Sequence, residues 1–443
     1  MTLVSGWGRY PTVETEIVTP RTLEAARRLT AEGEGVVARG NGRAYGDAAI
    51  GVSRTIAMKA LNRVCAFDVE TGLLTVEAGA LLSDLIVAFL PHGFFPAVVP
   101  GTRYVTVGGA IAADVHGKNH HRDGGFGDHV ESLILTTAGG EMIRASRSEH
   151  SDLFFATIGG LGLTGTIIEA TLRLKRVETG WIRQRTIVAP GLAAAMAALD
   201  EGDTATYAVA WIDSMAKGPK LGRSLLYLGE HVRRDELDAK AAANLFPALN
   251  NELLAVPLDF PALALNHWSV RAFNELYFRL GARRAGHNVL VRADPYFFPL
   301  DRVGAWNRMY GRRGFVQHQC VLPAATATGV LAEMLERIVS RGDASFLAVL
   351  KKLGPSSGIL SFPLRGYTLA LDFPVRPGLF QFLDELDRLV VSAGGRLYLA
   401  KDARQSRATF EAGYPDLPRF RDIRRLVDPT SRIRSRLAER LGM

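Results

Sequence analysis

Cysteine is nearly missing from this chain: Cys65 and Cys320 are the two in 443 residues. Two thiols cannot make a disulfide framework, so the fold has to rest on a hydrophobic core and suits a reducing compartment. Long apolar runs are missing as well. The most apolar stretch, residues 73–100, is interrupted by Glu77, Asp84 and Pro91, which argues against a spanning helix. The opening MTLVSGWGRYPTVETE lacks the basic start and apolar centre of a signal peptide. The expected location is therefore cytoplasmic or peripheral to a membrane. Several catalytic signatures are absent too. There is no Walker loop, no nucleophile elbow and no HExxH, and neither cysteine has a protease-like context. His116 and His120 stand four apart, but Gly117 and Asn119 make the helix that would align them improbable, so no metal is expected. Zinc spacing and aromatic-interleaved basic runs are absent, which argues against nucleic acid.

What is present describes a globular protein of two or three domains, with 47% hydrophobic and 22% charged residues and no short-period repeat. A net charge of +8 favours anionic partners, either phosphate-bearing ligands or lipid headgroups. Arg424, Arg425, Arg432, Arg434, Arg436 and Arg440 concentrate that excess near the C-terminus, where a solvated basic helix is the simplest expectation.

Along the chain, a strand end at Ile17 and Val18, a helix over TPRTLEAARRLT and a short buried strand at Val36, Val37 and Ala38 make a β-α-β opening. That strand runs into RGNGRAYGD, whose alternating glycines can turn successive N–H groups into one anion-binding concavity. No periodic helix follows, which excludes a Rossmann turn. Strands at residues 73–77 and 132–137 flank a helix over 81–90. A GxGxxG at 160–165 precedes Ile168, Ala170, Leu172 and Leu174 alternating with polar residues, so a strand follows it and the dinucleotide motif fails in context.

A second region starts near Thr179. Tyr207, Val209, Trp211 and Asp213 share one strand face, and Phe315, Gln317, Gln319 and Val321 another. Amides repeated on one face suit either a hydroxyl-rich ligand or edge-strand solvation. Helices over 327–341 and 378–393 make this a separate α+β domain. Residues 253–273 are apolar but broken by Pro257 and Pro261, so no regular element is expected there. The chain ends with Tyr398 and Lys401 after a strand, then a helix over 432–441 with Ile433, Leu437 and Leu441 at spacing four.

The organising stretch is residues 100–121, PGTRYVTVGGAIAADVHGKNHH, where small residues let the backbone lie against a flat or charged ligand and a histidine and lysine follow. With the glycine loop before it and a late lysine after it, it suits a large phosphate-bearing cofactor with a flat ring.

Taken together, ARGNGRAYGD, PGTRYVTVGGAIAADVHGKNHH, GGLGLTGTII and RLYLAKDAR resemble the FAD-binding elements of the vanillyl-alcohol-oxidase superfamily, the PCMH-type flavoproteins. Within it the chain is most similar to the decaprenylphosphoryl-ribose 2-oxidase family. That likeness extends through GWGR, AWIDSMAKGPKLGRS, PLD, SFLAVLKKLGP, LSFPLRGY, DFPV and RRLVDP. The resemblance implies an α+β fold: an FAD domain from residues 1–178, completed by 397–443, with a substrate cap inserted as 179–396. It implies that Ala38, Arg39, Gly40, Asn41, Gly42, Arg43, Ala44, Tyr45, Gly46 and Asp47 cradle the pyrophosphate. Gly101, Thr106, Val107, Gly108, Gly109, Ala113, Asp114, Val115 and His116 would line the flavin, Ile167 the adenine side, and Tyr398 would return from the tail. Many superfamily members attach FAD through a histidine in the first glycine loop; Arg43 stands there, so non-covalent FAD is expected.

The activity implied is oxidation of a secondary sugar hydroxyl, the 2-hydroxyl of a polyprenyl-phosphate pentose, as the first half of an epimerisation completed by a short-chain reductase. Lys401 is the candidate for stabilising reduced flavin or gripping the hydroxyl, and His116 and Tyr45 for positioning or proton transfer. Trp211, Gln317, Gln319 and Lys351 fit the cap side, where Lys351 can meet a phosphate. The sequence departs from the mycobacterial members at Ala370, where they carry a pocket cysteine, and at Phe297, where they carry a tyrosine. A soluble alditol, lactone or nucleotide-sugar oxidase of the same superfamily, or a non-catalytic flavin subunit, stays open. The apolar stretch 253–273 can guide a lipid tail, touch a membrane or simply cover the core.

Overall fold

A computed structural model describes residues 1–249, 254–261, 266–342 and 347–443. Leu253, residues 262–265 of the apolar stretch, and Ser345 and Phe346 lie outside the described residues.

Three sheets carry the architecture. The first orders its strands Thr2–Ser5, Thr12–Val18, Arg54–Ala57, Val36–Arg39, the last three parallel, with the helix Leu23–Glu32 as the crossover. Thr22 caps that helix by accepting from the Ala25 N–H. The second sheet is antiparallel. Its longest strand, Thr166–Arg176, follows the GxGxxG and pairs with Leu73–Glu77 on one side and Val130–Thr136 on the other.

The third sheet is eight-stranded and antiparallel, built from residues 181–397. Its period-two alternation separates two environments. Val316, Cys320, Leu322, Leu350, Leu369, Leu371 and Phe373 pack beneath the helices Leu192–Glu201, Ala324–Arg341 and Leu379–Ser392. The intervening positions Gln317, Gln319, Lys351, Thr368 and Ala370 face a cavity instead. The strand Phe315–Pro323 lies between two neighbours, and Gln317 and Gln319 are 8% and 5% exposed. Edge-strand solvation is therefore excluded for these amides.

Three local expectations are corrected. His267–Ala282 is a helix, started by Asn266, whose side chain accepts from the Trp268 and Ser269 N–H groups; Pro257 and Pro261 lie upstream of it. The last helix is shorter than its spacing suggests, Arg436–Leu441 with Ser435 as cap. Residues before it are extended, because Val36 bonds to the main chain of Arg432 and Arg434, drawing the tail along the first sheet. Asp213 lies past the end of the strand Tyr207–Ile212 and pairs with Arg223.

The basic tail is not a merely solvated helix. Arg424 is 4% exposed and donates to the carbonyl of Ile433. Arg440 reaches both Asp47 and Asp402 at 2.9 Å, joining the glycine loop to the segment that carries Lys401. At Gly46 a Cβ would stand 1.9 Å from the Asp402 carbonyl oxygen, so that junction admits no side chain. Removing the shared cation leaves two buried carboxylates facing each other. Arg440→Met should therefore cost about 3 kcal/mol of stability, read as a lower denaturation midpoint with an unchanged slope; an unchanged midpoint would show that the network is dispensable.

Candidate active site

Four backbone segments and one sheet face enclose a cavity of about 730 Å³, in the upper part of the usual range for small-molecule sites. The glycine loop forms one wall. Tyr45 accepts no chain discontinuity there: its N–H donates to Ala400, so the loop is stitched directly to the Lys401 turn. The second wall is the run 99–118. Its small residues form not a strand but a short helix, Val107–Ala112, whose cap Thr106 accepts from the Gly109 N–H at 3.2 Å. A Cβ on Gly40 would meet the Thr106 hydroxyl at 2.1 Å, so the two walls touch because neither carries bulk.

His116 follows that helix and lines the cavity. Its ring lies 5.2 Å from Tyr398 and 5.5 Å from Phe362, which stack on each other. Gln319 meets His116 Nε2 at 3.0 Å and donates to Thr368 at 3.2 Å. Burial, then Lys351, His120 and Lys401, push the imidazole well below its ordinary value, so it is neutral. Its Nδ1 is buried without a hydrogen-bond partner among the described residues.

Lys118, Lys351 and Lys401 all line the same cavity. Among the described residues none of the three forms a salt bridge. Lys118 donates to the Tyr296 carbonyl oxygen and lies over that ring. Lys401 Nζ stands 3.5 Å above the centre of Tyr45. Burial pulls Lys118 down to about 7, with Lys351 adding to it, and Lys351 itself to about 8. Burial also pulls Lys401 to about 7, opposed by Asp372 and reinforced by Lys351. Three buried amines that form no salt bridge among the described residues favour an anionic ligand in the site.

Most of the expected residues converge. Ala38, Gly40, Asn41, Gly42, Arg43, Ala44 and Tyr45 face the cavity, as do Gly101, Thr106, Gly108, Gly109, Ala113, Val115, Ile167 and Tyr398. So do Trp211, Gln317 and Gln319, together with the departures Ala370 and Phe297. Others stand behind the walls. The Arg39 side chain donates to the Ser5 and Ala49 carbonyls, and Asp47 pairs with Arg440. Val107 is core, Gly46 abuts the Asp402 main chain, and buried Asp114 accepts from the Gly127 N–H at 2.9 Å. These five support the walls rather than line them. Sequence reasoning noted Lys118 as the lysine that follows His116 but assigned it no role. It passed over Asp372, which only strand pairing places opposite Gln317.

Residues 17–146 match the FAD binding domain family. The chain is 42% identical to the decaprenylphosphoryl-β-D-ribose oxidase of Mycolicibacterium smegmatis, over 99% of this chain and 97% of that one. More local similarity, 32% over 35% of this chain and 36% of the other, links it to the L-gulonolactone oxidase of Bos taurus. Cytokinin dehydrogenase 10 of Oryza sativa is 38% identical over 26% of this chain and 22% of its own. The local matches are short, whereas the first runs along nearly the whole chain.

The depressed lysines carry a sign for stability. A lysine whose folded value lies near 8 instead of the ordinary 10.5 penalises folding fully below pH 8, and the penalty is relieved as pH rises toward 10.5. Without an anionic ligand, the stability of the wild type relative to Lys351→Met should therefore rise between about pH 8 and 10, measured by chemical denaturation; a difference flat in pH would mean that Lys351 is not desolvated.

Proposed function

Because this chain belongs to the decaprenylphosphoryl-β-D-ribose oxidase family of FAD-dependent oxidoreductases, we propose that it oxidises the 2-hydroxyl of a polyprenyl-phosphate pentose to a ketone. The observation that supports this substrate most strongly is that Lys118, Lys351 and Lys401 line one cavity together with aromatic side chains. Lys118 and Lys351 would grip the phosphate, while Gln317, Gln319 and Trp211 would meet the sugar.

The residues fit FAD. The cavity is walled by main chain at Gly40, Gly101 and Gly109, and nothing approaches the Cβ position of Gly101 within 4 Å. The loop 38–47 would hold the pyrophosphate through its N–H groups, with Gly101, Thr106, Gly108, Gly109, Ala113, Val115, His116 and Tyr398 along the ring and Ile167 toward the adenine. Bound there, FAD supplies a hydride acceptor. Lys401, whose proton affinity is lowered by burial, takes the hydroxyl proton on Nζ from its neutral form, and the Tyr45 ring beneath it excludes water from that side. Neutral His116, held through Nε2 by Gln319, orients the reacting group. Arg43, stacked 4.0 Å over Trp7, has no nucleophile to offer the flavin, so the cofactor is held non-covalently. In this reading residues 1–178 and 397–443 form the FAD domain and 179–396 the cap. The keto product requires a second enzyme, a short-chain reductase, to complete an epimerisation.

Peripheral membrane attachment belongs to the same proposal. The helix His267–Ala282 exposes Trp268, Leu276 and Leu280 beside Arg271 and Arg279, and its Phe273 and Tyr277 also border the cavity. A lipid tail leaving the pocket would pass along this helix into an anionic bilayer. No helix among the described residues is long and apolar enough to cross a membrane.

Under anaerobic conditions, polyprenylphosphoryl ribose should bleach the flavin of the wild type, while Lys401→Ala keeps its FAD and bleaches at least about 100-fold more slowly. Acid denaturation of the same preparation should leave the polypeptide colourless; normal bleaching by the variant, or colour retained on the chain, would overturn the corresponding assignment. Trp268→Ser with Leu276→Ser and Leu280→Ser should cut co-flotation with phosphatidylglycerol vesicles at least about fivefold without changing flavin content. Equal flotation would remove the helix from the membrane contact.

A further inference from the structure

The strands Tyr207–Ile212 and Ala348–Leu353 are neighbours in the eight-stranded sheet, yet they pair at two positions only, Trp211 with Val349 and Ala210 with Leu350. Carried on in the same register, the ladder would join Val209 to Lys351 and Ala208 to Lys352. Instead the two strands part, and residues 118–122, which precede this sheet in the chain, take up main-chain groups on both sides of the gap. On one side the Lys118 carbonyl oxygen accepts from the Ala208 N–H at 2.8 Å. His121 donates from Nε2 to the Ala205 carbonyl at 2.9 Å, and Arg122 donates to that of Thr204. On the other side His120 Nδ1 accepts from the Gly354 N–H at 2.9 Å, one residue past the end of the strand that carries Lys351. A Cβ on Gly354 would stand 3.0 Å from the His120 carbonyl oxygen, so the two backbones are in close contact.

His120 is 1% exposed and does not line the cavity, and no step of the proposed reaction uses it. Its ring meets that of His116 edge-on at 6.2 Å. Because Gly354 donates to Nδ1, the ring proton is on Nε2, which is buried without a partner among the described residues. Burial, then Lys351, pushes the imidazole down to about 4, so Nδ1 keeps the lone pair that Gly354 needs.

We propose that residues 118–122 are a wedge that enters the sheet where these two strands part, and that His120, its buried pin, is a positioning residue holding the Lys351 strand beside Lys118 for anion binding. The inference rests on the reading that these lysines grip a phosphate. The strand Gly366–Pro374 holds one edge of the Lys351 strand, pairing Lys351 with Thr368. Past Leu350 the His120–Gly354 bond is what fastens the other edge. Lys118 belongs to the wedge itself, so the same segment supplies one cation and sets the place of the second. The glycine loop and the Lys401 turn are joined by separate bonds, through Arg440 and the Tyr45 N–H. Loss of the pin should therefore weaken the grip on an anion and spare the hydride step.

The test uses the FAD-bound protein and two substitutions. Asparagine at this position puts its amide oxygen where Nδ1 stood and can accept from Gly354, whereas leucine cannot. Inorganic phosphate is the probe, its affinity read from the rise in denaturation midpoint over sodium chloride of equal ionic strength. Lys351→Met and His120→Leu should each weaken phosphate binding at least about fivefold, while His120→Asn stays within about twofold of wild type. His120→Leu combined with Lys351→Met should bind no more weakly than Lys351→Met alone, because the pin acts through that lysine. With polyprenylphosphoryl ribose, His120→Leu should raise KM at least about tenfold and leave kcat within about threefold. If His120→Leu does not retain FAD, His120→Gln serves instead: its amide oxygen lies where Nε2 stood and leaves the Gly354 N–H unmet. Full phosphate affinity in whichever variant retains FAD, or a loss that adds to that of Lys351→Met, overturns the inference and leaves the lysine reading standing. A wild type that binds no phosphate overturns both. Phosphate affinities that change as expected while no polyprenyl-phosphate pentose bleaches the flavin uphold the role of His120 and refute the substrate reading instead.

Discussion

Withdrawing a lysine from water with no salt-bridge partner is costly for a folded chain, and three such lysines border one cavity here. The core cannot gain from this. It is tolerated because two large hydrophobic clusters and a dense backbone network supply stability elsewhere, and an anionic ligand would lessen the cost. The rest of the architecture can be understood as the frame that keeps those lysines fixed while leaving the space between them open.

That frame is closed by distant pieces of chain. The tail runs back along Val36 and Arg440 ties Asp47 to Asp402, so the glycine loop and the Lys401 turn move as one body. A loop rich in glycine would otherwise lose much of its order. The arginines near the C-terminus look like surface charge in one dimension and are structural in three. On the opposite side, the eight-stranded sheet uses its alternation to put aliphatic residues under helices and amides and lysine against the ligand space. One sheet thereby serves as core and as binding wall.

The same alternation explains how much of the site was legible beforehand. Gln317 and Gln319 are recognisable because period two puts them on one face, and Lys351 because a known family pattern surrounds it. Lys118 went without a role and Asp372 went unnoticed, for different reasons. Lys118 sits in a loop without periodicity, where only the fold turns it toward the Tyr296 carbonyl. Asp372 reads as an ordinary polar position of a strand until its antiparallel partner is known. Errors at residues 253–273 and 432–441 share one cause: helix limits depend on capping side chains and on tertiary strand pairing, which a spacing rule does not see.

What the chain's order of residues settled alone is local: which stretches bend tightly, which alternate, which lack the bulk to keep a ligand off the backbone. Those properties follow from Cβ sterics and side-chain periodicity and need no partner. Where charge resides in the working protein was decided only by the tertiary structure. The pairing of Arg440 with two carboxylates, the gathering of three lysines around one cavity and the placing of Asp372 behind Gln317 each join residues far apart in sequence. Electrostatic free energy depends on distance and surrounding dielectric, and folding is what assigns both.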